Sequence, residues 1–293
     1  MGVQQVITGR RRDLGGFSVR RVLPAASVPM VGPFIFFDHL GPLALAPGAG
    51  IDVRPHPHIA LATVTYLFSG SLLHRDSLGS VQTIRPGDVN WMTAGSGIVH
   101  SERSPEEERR RGVIAHGIQS WVALPDGHEE DAPDFQHHAA ESLPCRSGEG
   151  VELRVIAGEA FGRASPVRLL SPTLYVDVSA AAGASLEIGA DYSERACYVA
   201  AGGIEISGVR GAEGELLTLA RGGAVTLRAE RAARVILLGG EPFATPRFIW
   251  WNFVSSSRER IDSAKRQWAQ GRFAPVPGES ESMPLPPEAP TET

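Results

Sequence analysis

The feature of this sequence that most constrains its fold is a succession of short apolar runs separated by turns rich in glycine and proline. Residues 63–68 are mostly apolar or β-branched, and a Ser-Gly pair at 69–70 precedes the next run. Residues 85–88 read Arg-Pro-Gly-Asp, which places proline and glycine where a type II turn needs them, before another run at 89–92. Strands this short, with turns at this spacing, predict an all-β sandwich or barrel.

A second series of the same kind follows a stretch rich in proline, glycine and charge at residues 125–150. Its apolar runs occupy residues 174–178, 197–200, 204–207, 216–219, 225–227 and 235–238. The two series show no obvious sequence repeat, so the duplication is inferred from their organisation alone. We therefore predict two tandem β-modules, over residues 1–140 and 141–247, and a separate C-terminal region over residues 248–293.

The C-terminal region contains one predicted helix. Ser256 and Glu259 have the spacing of a capping box, which marks a helix start. Three apolar residues share one face of this helix, namely Ile261, Ala264 and Trp268. We expect that face to pack on a barrel. From residue 274 onward the chain is rich in proline, glutamate and serine, and we predict disorder there.

Composition and charge argue against several classes of protein. The formal net charge of −5 disfavours broad nucleic-acid binding. Two cysteines, Cys145 and Cys197, are too few for a disulfide framework or a thiolate metal cage. No apolar stretch approaches the roughly 18 residues of a membrane span. The arginines at 10–12 are not followed by the apolar core of a secretory signal. We expect a cytoplasmic protein with no membrane partner.

Histidines are confined to the first half of the chain, since all nine lie before residue 139. His56 and His58 form an i, i+2 pair, and so do His100 and Glu102. On a strand such pairs project from the same face and can point into one cavity. Three imidazoles and a carboxylate suit Fe(II), Mn, Co, Ni or Cu, and Zn is a further candidate. The alternative is that these are surface or structural histidines.

Other side chains are candidates for supporting roles near such a site. Metal-bound imidazoles usually donate their second N–H to a partner, and the candidate partners are Asp38, Gln119 and His116. Aromatic residues could line a pocket for a flat substrate, and the candidates are Phe36, Phe37, Trp91 and Trp121. The competing interpretation is that the polar groups are satisfied buried residues and that the aromatic ones belong to the core.

Three sequence segments together resemble the pirin family of the cupin superfamily. They are His-Pro-His at 56–58, Thr-Val-Thr-Tyr-Leu at 63–67, and the run from Pro86 to Glu102. Within that run, the Trp-Met-Thr-Ala-Gly-Ser-Gly-Ile-Val-His-Ser-Glu stretch at 91–102 is the most diagnostic. The likeness continues in shorter matches at residues 117–122, 158–162, 172–175 and 240–242.

The resemblance implies an all-β bicupin, in which two tandem, jelly-roll-like β-barrels are followed by a short C-terminal helix. It also implies one metal, normally Fe(II), held only in the N-terminal barrel. Carried over by position, the ligands are His56, His58, His100 and Glu102. The C-terminal barrel would then lack metal ligands, which agrees with its lack of histidine.

Pirin-like proteins include flavonol dioxygenases (quercetinases) and, in eukaryotes, nuclear transcriptional co-regulators. The resemblance therefore implies an Fe(II)-dependent dioxygenase that cleaves a flavonol such as quercetin with O2, with Glu102 as its catalytic carboxylate. Two alternatives stay open. One is a non-enzymatic, metal-dependent regulator that binds a partner protein, and the other is different cupin chemistry on a small phenolic or enol substrate.

The sequence departs from the family pattern at one position near the candidate ligands. The family usually reads His-x-His-x-Gly-x-Glu-Thr, whereas this chain has Ala62 where the glutamate stands. Flavonol cleavage requires a base for the substrate hydroxyl, so the expectation is that losing this carboxylate affects catalysis more than metal binding. Ala62 thus favours the regulator over the enzyme.

Overall fold

The computed structural model describes residues 2–287, and two β-barrels account for most of them. Strand β1 (Val3–Thr8) is followed by the strands of the first barrel, which are β2 (Arg10–Asp13), β3 (Ser18–Leu23), β4 (Phe34–Leu45), β5 (Asp52–His58), β6 (Leu61–Ser69), β7 (Leu72–Asp76), β8 (Val81–Ile84), β9 (Val89–Thr93), β10 (Ile98–Arg103), β11 (Val113–Ala123) and β12 (Asp134–His138). A short helix, α1 (Glu106–Arg111), connects β10 to β11.

The first barrel consists of two sheets. One has seven strands in the order β12-β9-β6-β11-β4-β3-β2, and the other has four in the order β5-β10-β7-β8. The pairings within both sheets are antiparallel. Because side chains alternate between the two faces of each strand, every strand of the larger sheet presents one set inward and one set outward.

A 3-10 turn at Ala140–Ser142 leads into the second barrel. Its strands are β13 (Cys145–Gly148), β14 (Val151–Ala160), β15 (Arg163–Ala164), β16 (Thr173–Ala180), β17 (Ser185–Ile188), β18 (Glu194–Ile206), β19 (Val209–Ala212), β20 (Glu215–Leu219) and β21 (Val225–Gly240). The interior of this barrel is apolar. The prediction of an all-β bicupin is confirmed.

Strand β1 belongs to the sheet of the second barrel, although it opens the chain. It pairs antiparallel with β20, placing Ile7 opposite Leu216. The first strand therefore crosses from the N-terminal module to the C-terminal one and ties the two barrels together. The predicted boundary at residue 140 stays a prediction.

The two barrels share a buried core. The outward face of the seven-stranded sheet packs against the second barrel, where the Phe37 ring lies 4.8 Å from that of Tyr198 and the Phe34 ring lies 5.0 Å from that of Tyr175. Polar contacts cross the same interface, since the Tyr66 hydroxyl donates to Asp177 at 2.8 Å. The barrels are thus joined by apolar packing with buried hydrogen bonds inside it.

Beyond the second barrel, a hairpin and a helix return to the first barrel. The hairpin comprises β22 (Phe248–Trp250) and β23 (Phe253–Ser255), and the helix is α2 (Arg258–Ala269). Ile261 and Ala264 are buried against Ile59 and Phe253, and Trp268 packs beside them. The predicted apolar face is confirmed. The cap is Ser257 rather than Ser256, because the Ser257 hydroxyl accepts from the N–H of Arg260.

The prediction of disorder from residue 274 onward is wrong for residues 274–287. Val276 is buried, and Glu279 and Met283 hydrogen-bond to the first barrel. Composition alone predicted a solvated tail because it does not show the arginine and the free strand edge that this segment contacts. Residues 288–293 lie outside the described residues. Among residues 2–287, no helix is both long and apolar enough to cross a bilayer.

Candidate metal centre

The candidate metal centre is built where β5 and β10 pair. His56 lies opposite His100 in this antiparallel ladder, and His58 lies opposite Ile98. Since i and i+2 side chains share a face, the three imidazoles converge. The ring centroids of His56 and His58 lie 4.4 and 5.1 Å from that of His100. One nitrogen of each ring falls within 4.8 Å of the others, which is the spacing of ligands around one ion.

Backbone carbonyls fix two of these rings. The Nδ1 of His56 lies 2.8 Å from the carbonyl oxygen of Arg54, and the Nδ1 of His58 lies 3.0 Å from that of Asn252. Each ring therefore donates through Nδ1 and leaves Nε2 as a lone-pair donor, as metal-binding imidazoles do. Burial lowers the pKa of His56 to about 4 and that of His58 well below its usual value. Both rings are neutral near pH 7 and can bind a cation.

Glu102 belongs to a second group of donors that shares His100 with the first. Its carboxylate, a nitrogen of His100 and a nitrogen of His74 lie within 4.8 Å of one another. Burial raises the pKa of Glu102, against a lowering effect of His74 and of a hydrogen bond from Thr65. The four predicted ligands are therefore adjacent, but the structure divides them between two groups around one shared ring.

His74 was missed in the sequence, although it carries the same signal as the other pairs. It lies directly opposite Glu102 on β7, and Nε2 of its ring lies 3.1 Å from the carboxylate of Asp76, two residues along. Asp76 is fully buried and also accepts the backbone N–H groups of Leu78 and Ser80. Its carboxylate holds the His74 ring from behind, as outer partners of metal sites do.

A short hydrogen-bond chain orients Glu102 from the opposite sheet. The hydroxyl of Thr65 on β6 donates to Glu102 at 2.9 Å and lies 2.8 Å from the side-chain amide of Gln119. A hydroxyl has one proton, so Gln119 must present its NH2 group to Thr65 when Thr65 donates to the carboxylate. Gln119 thus supports the site through Thr65, and no hydrogen bond among the described residues joins it to an imidazole.

The residues present fit a bound divalent metal. Both ring nitrogens of His100 are buried and have no hydrogen-bond partner among the described residues. A buried polar group without a partner is costly, and a metal ion bound to one nitrogen would satisfy it. The donor set of neutral imidazoles and a carboxylate is also that of divalent transition metals.

The histidines open onto a cavity of about 530 Å³, which is large enough for a drug-sized ligand. One part of its aromatic wall is formed by Phe36 and Trp121, whose rings stack with centroids 4.0 Å apart and planes at 12°. Trp121 also lies edge-on to His58 at 5.1 Å. The Arg21 guanidinium covers the other side of Phe36 at 4.3 Å and holds Asp38 through two hydrogen bonds of 2.8 Å.

Three of the predicted pocket or partner residues do not lie in this cavity. Phe37 and Trp91 belong to the core between the barrels. His116 lies 2.7 Å from the Nε2 of His39, whose Nδ1 lies 2.8 Å from the Tyr198 hydroxyl of the second barrel. The side chains of all three point to the outward face of their strands. Because side chains alternate between the two faces of a strand, these three cannot reach the cavity on the inward face. Asp38 lines the cavity, but its partner is Arg21.

Comparison with known protein families decides the assignment. The family description "Pirin" matches residues 16–122, and "Pirin C-terminal cupin domain" matches residues 175–274. The chain belongs to the pirin family. The two matched ranges correspond to the first barrel, which contains the candidate metal centre, and to the second barrel with its C-terminal helix.

Relatives within the pirin family span nearly the whole chain. A pirin-like protein of Caulobacter vibrioides is 49% identical over 97% of this chain and 99% of its own. A Pseudomonas aeruginosa protein, provisionally named as a quercetin 2,3-dioxygenase, is 42% identical over 91% of this chain and 84% of its own. The crystal structure of a quercetin 2,3-dioxygenase from Acinetobacter baumannii superposes with a TM-score of 0.91 at 34% identity, covering 99% of this chain and 96% of that one.

The structure explains what the departure from the pirin pattern at Ala62 means. Ala62 lies on β6 with Val64 and Tyr66, and all three belong to the core between the barrels. Thr65, which contacts Glu102, lies on the opposite face of the same strand. A glutamate at position 62 of this fold would therefore point away from the metal centre. The expectation that Ala62 removes a base from the site is wrong.

Proposed function

We propose that this chain is a metal-dependent dioxygenase that cleaves a flavonol such as quercetin with O2, and that Fe(II) is the metal. The observation that carries the proposal is the cavity in which His56, His58 and Glu102 face an aromatic wall, with the buried His100 directly beside them. A divalent metal bound there would supply Lewis-acid and redox chemistry toward a phenolic oxygen and O2. His56, His58, His100 and Glu102 would hold it.

The chain's own residues would bind and orient a flat substrate. Trp121, backed by Phe36 and lying beside His58, is the aromatic surface against which a flavonol ring can pack. Holding the flavonol in one orientation brings its hydroxyl to the imidazole cluster and lowers the entropy cost of the reaction.

Glu102 is the carboxylate best placed to accept the proton of the flavonol hydroxyl. Thr65 donates to its Oε1, which leaves Oε2 for the metal or for that proton. The Gln119–Thr65 chain keeps the carboxylate turned toward the cavity. Asp38 also lines the cavity, but both of its oxygens are engaged by Arg21, so it is the weaker candidate base.

The non-enzymatic regulator loses the one feature that favoured it, because Ala62 lies outside the metal centre. The regulator, like other cupin chemistry on a phenolic or enol substrate, becomes an outcome of the test. Metal-free protein is reconstituted anaerobically with Fe(II), Mn, Co, Ni, Cu or Zn, and oxygen uptake is measured with quercetin. Equimolar loss of O2 and flavonol absorbance supports the proposal, and its absence in His58→Ala ties it to the centre. Bound metal without uptake for any of the ions contradicts it.

A further inference from the structure

The segment over residues 274–287, called here the strap, crosses the outside of the first barrel next to the metal centre. Its role is not explained by the two barrels, which are closed before it begins. We propose that the strap forms the outer wall of the metal cavity and that Met283 in it determines which ligands fit. This inference rests on the proposed function for the identity of the ligand, but not for the location of the wall.

The strap is anchored on the back of the strand that carries His100 and Glu102. Ser101 and Arg103 alternate with those donors and so face away from the cavity. The Ser101 hydroxyl donates to Glu279 at 2.8 Å, and Arg103 donates to both Glu279 oxygens at 3.0 and 2.7 Å. The Glu279 side chain is only 7% exposed, so this two-pronged ion pair is shielded from water.

A second anchor lies on the strand that carries His56. Strand β5 is an edge strand of its four-stranded sheet, and Pro55 directly precedes His56. The backbone N–H of Met283 donates to the Pro55 carbonyl at 2.8 Å, and the Met283 carbonyl accepts from the Trp268 indole at 2.9 Å. The strap thus covers a free edge and is tied to helix α2 at the same residue.

These two anchors place Met283 in the cavity wall. It lines the cavity together with Trp251 and Asn252, and the Asn252 carbonyl orients His58. A methionine side chain is flexible and polarisable and packs well against aromatic rings. A flavonol stacked on Trp121 would extend far enough to contact Met283, whereas a single-ring phenol would not. Met283 therefore affects the binding of large ligands more than that of small ones, and it does not affect metal binding.

The strap contains its own matched control. Glu281 also contacts Arg103, at 3.1 Å, but its side chain is 55% exposed. Exposed ion pairs contribute little, whereas the shielded Glu279 pair should hold the strap in place. Glu279→Gln and Glu281→Gln each remove one carboxylate charge beside Arg103, although Glu279 also lies 3.9 Å from Arg75. Only the first substitution should loosen the wall.

The experiment measures binding of quercetin and of catechol to zinc-loaded protein by quenching of tryptophan fluorescence, in the absence of O2 so that no oxidative turnover can occur. Met283→Ala should weaken quercetin binding about tenfold and catechol binding by less than about twofold. Glu279→Gln should also weaken quercetin binding, and Glu281→Gln should bind quercetin with the affinity of the wild type. Thermal melts of all variants confirm that each remains folded. Equal affinities for quercetin across all four proteins would overturn the inference.

The results distinguish an error in the proposed function from an error in the proposed role of the strap as a cavity wall. If the wild-type protein binds no quercetin, the assignment of the ligand is wrong, and the wall is tested by metal release to the chelator 4-(2-pyridylazo)resorcinol. Faster release of zinc from Glu279→Gln than from Glu281→Gln then supports a wall over the centre. Equal release rates overturn it.

Discussion

At the scale of single residues, the phase of each strand decides which side chains take part in the candidate chemistry. Phe36 and Asp38 line the cavity, while Phe37, between them on β4, packs against the second barrel. Likewise Gln119 and Trp121 point inward on β11. Adjacent residues on a strand cannot share a face, so a prediction that includes both Phe36 and Phe37 in one pocket must fail for one of them.

The buried Asp76–His74 pair gives a prediction at this scale. Asp76→Asn should lower the affinity for Zn(II) about 10- to 100-fold, because it removes the charged partner that orients a ring next to Glu102 and His100. Competition with a chromophoric chelator measures the affinity. Asp131→Asn is the matched control, since Asp131 pairs with the half-exposed His128 and neither residue belongs to the two donor groups. An unchanged affinity in Asp76→Asn would show that the pair is structural only.

Position 62 gives a second prediction at the same scale. Restoring the family residue with Ala62→Glu should destabilise the fold by about 3 kcal/mol, because it places a carboxylate in the apolar core between the barrels. Urea unfolding measures the change, and chelator competition follows the metal. The variant should gain no metal affinity. Tighter metal binding with unchanged stability would mean that position 62 does reach the centre.

At the scale of elements, the metal centre depends on parts of the chain that are distant in sequence. The hairpin of β22 and β23 supplies the Asn252 carbonyl to His58, and helix α2 holds the hairpin against the barrel by packing on Phe253 and Ile59. Ile59 directly follows His58. A change in the helix can therefore reach the first barrel through one layer of side chains.

Truncation of the buried face of α2 tests this coupling. Ile261→Ala should lower the free energy of unfolding by about 2–4 kcal/mol, since it leaves a cavity beside Ile59 and Phe253. Arg266→Ala, on the exposed side of the same helix, should change it by less than about 0.5 kcal/mol. Urea denaturation followed by tryptophan fluorescence gives both values. Similar losses in the two variants would mean that the helix is not docked as described.

At the scale of the whole molecule, buried polar contacts couple the two barrels. His39 on the first barrel bonds to Tyr198 on the second, and burial lowers the pKa of His39 to about 3. Its folded-state pKa lies below the ordinary value of 6.5, so the unfolded chain takes up the proton first. The stabilisation that the folded state gains by holding His39 neutral is complete above pH 6.5 and is lost as the pH falls toward 3.

The direction of this pKa shift predicts how the stability of the protein depends on pH. Between pH 6 and pH 4, stability should fall with a contribution from His39 of up to about 1.4 kcal/mol per pH unit. His39→Gln should be less stable at pH 7 but should have a shallower slope in this range. Urea midpoints at several pH values measure the slope, and His128→Gln, half-exposed, is the control. An unchanged slope in His39→Gln would show that the ring titrates normally in the folded state.

The sequence by itself determined the all-β class, the two modules, the docking face of the C-terminal helix and the three converging histidines. These features depend on local alternation, turn chemistry and i, i+2 spacing, which act within a few residues. His74 and Asp76 have the same i, i+2 spacing, but this spacing does not show that their strand pairs with the strand of His100 and Glu102. The sequence therefore provided no reason to place His74 at the candidate metal centre.

Only the tertiary structure decided which face of each strand meets the metal cavity and which meets the second barrel. Both faces are buried, so hydrophobicity does not distinguish them, and Ala62, His116 and Trp91 were assigned to the wrong side. The strap shows the same limit, because its order depends on Arg103 and on the free edge of β5, both more than 170 residues earlier in the chain. Contacts of that range are fixed by packing and not by local sequence.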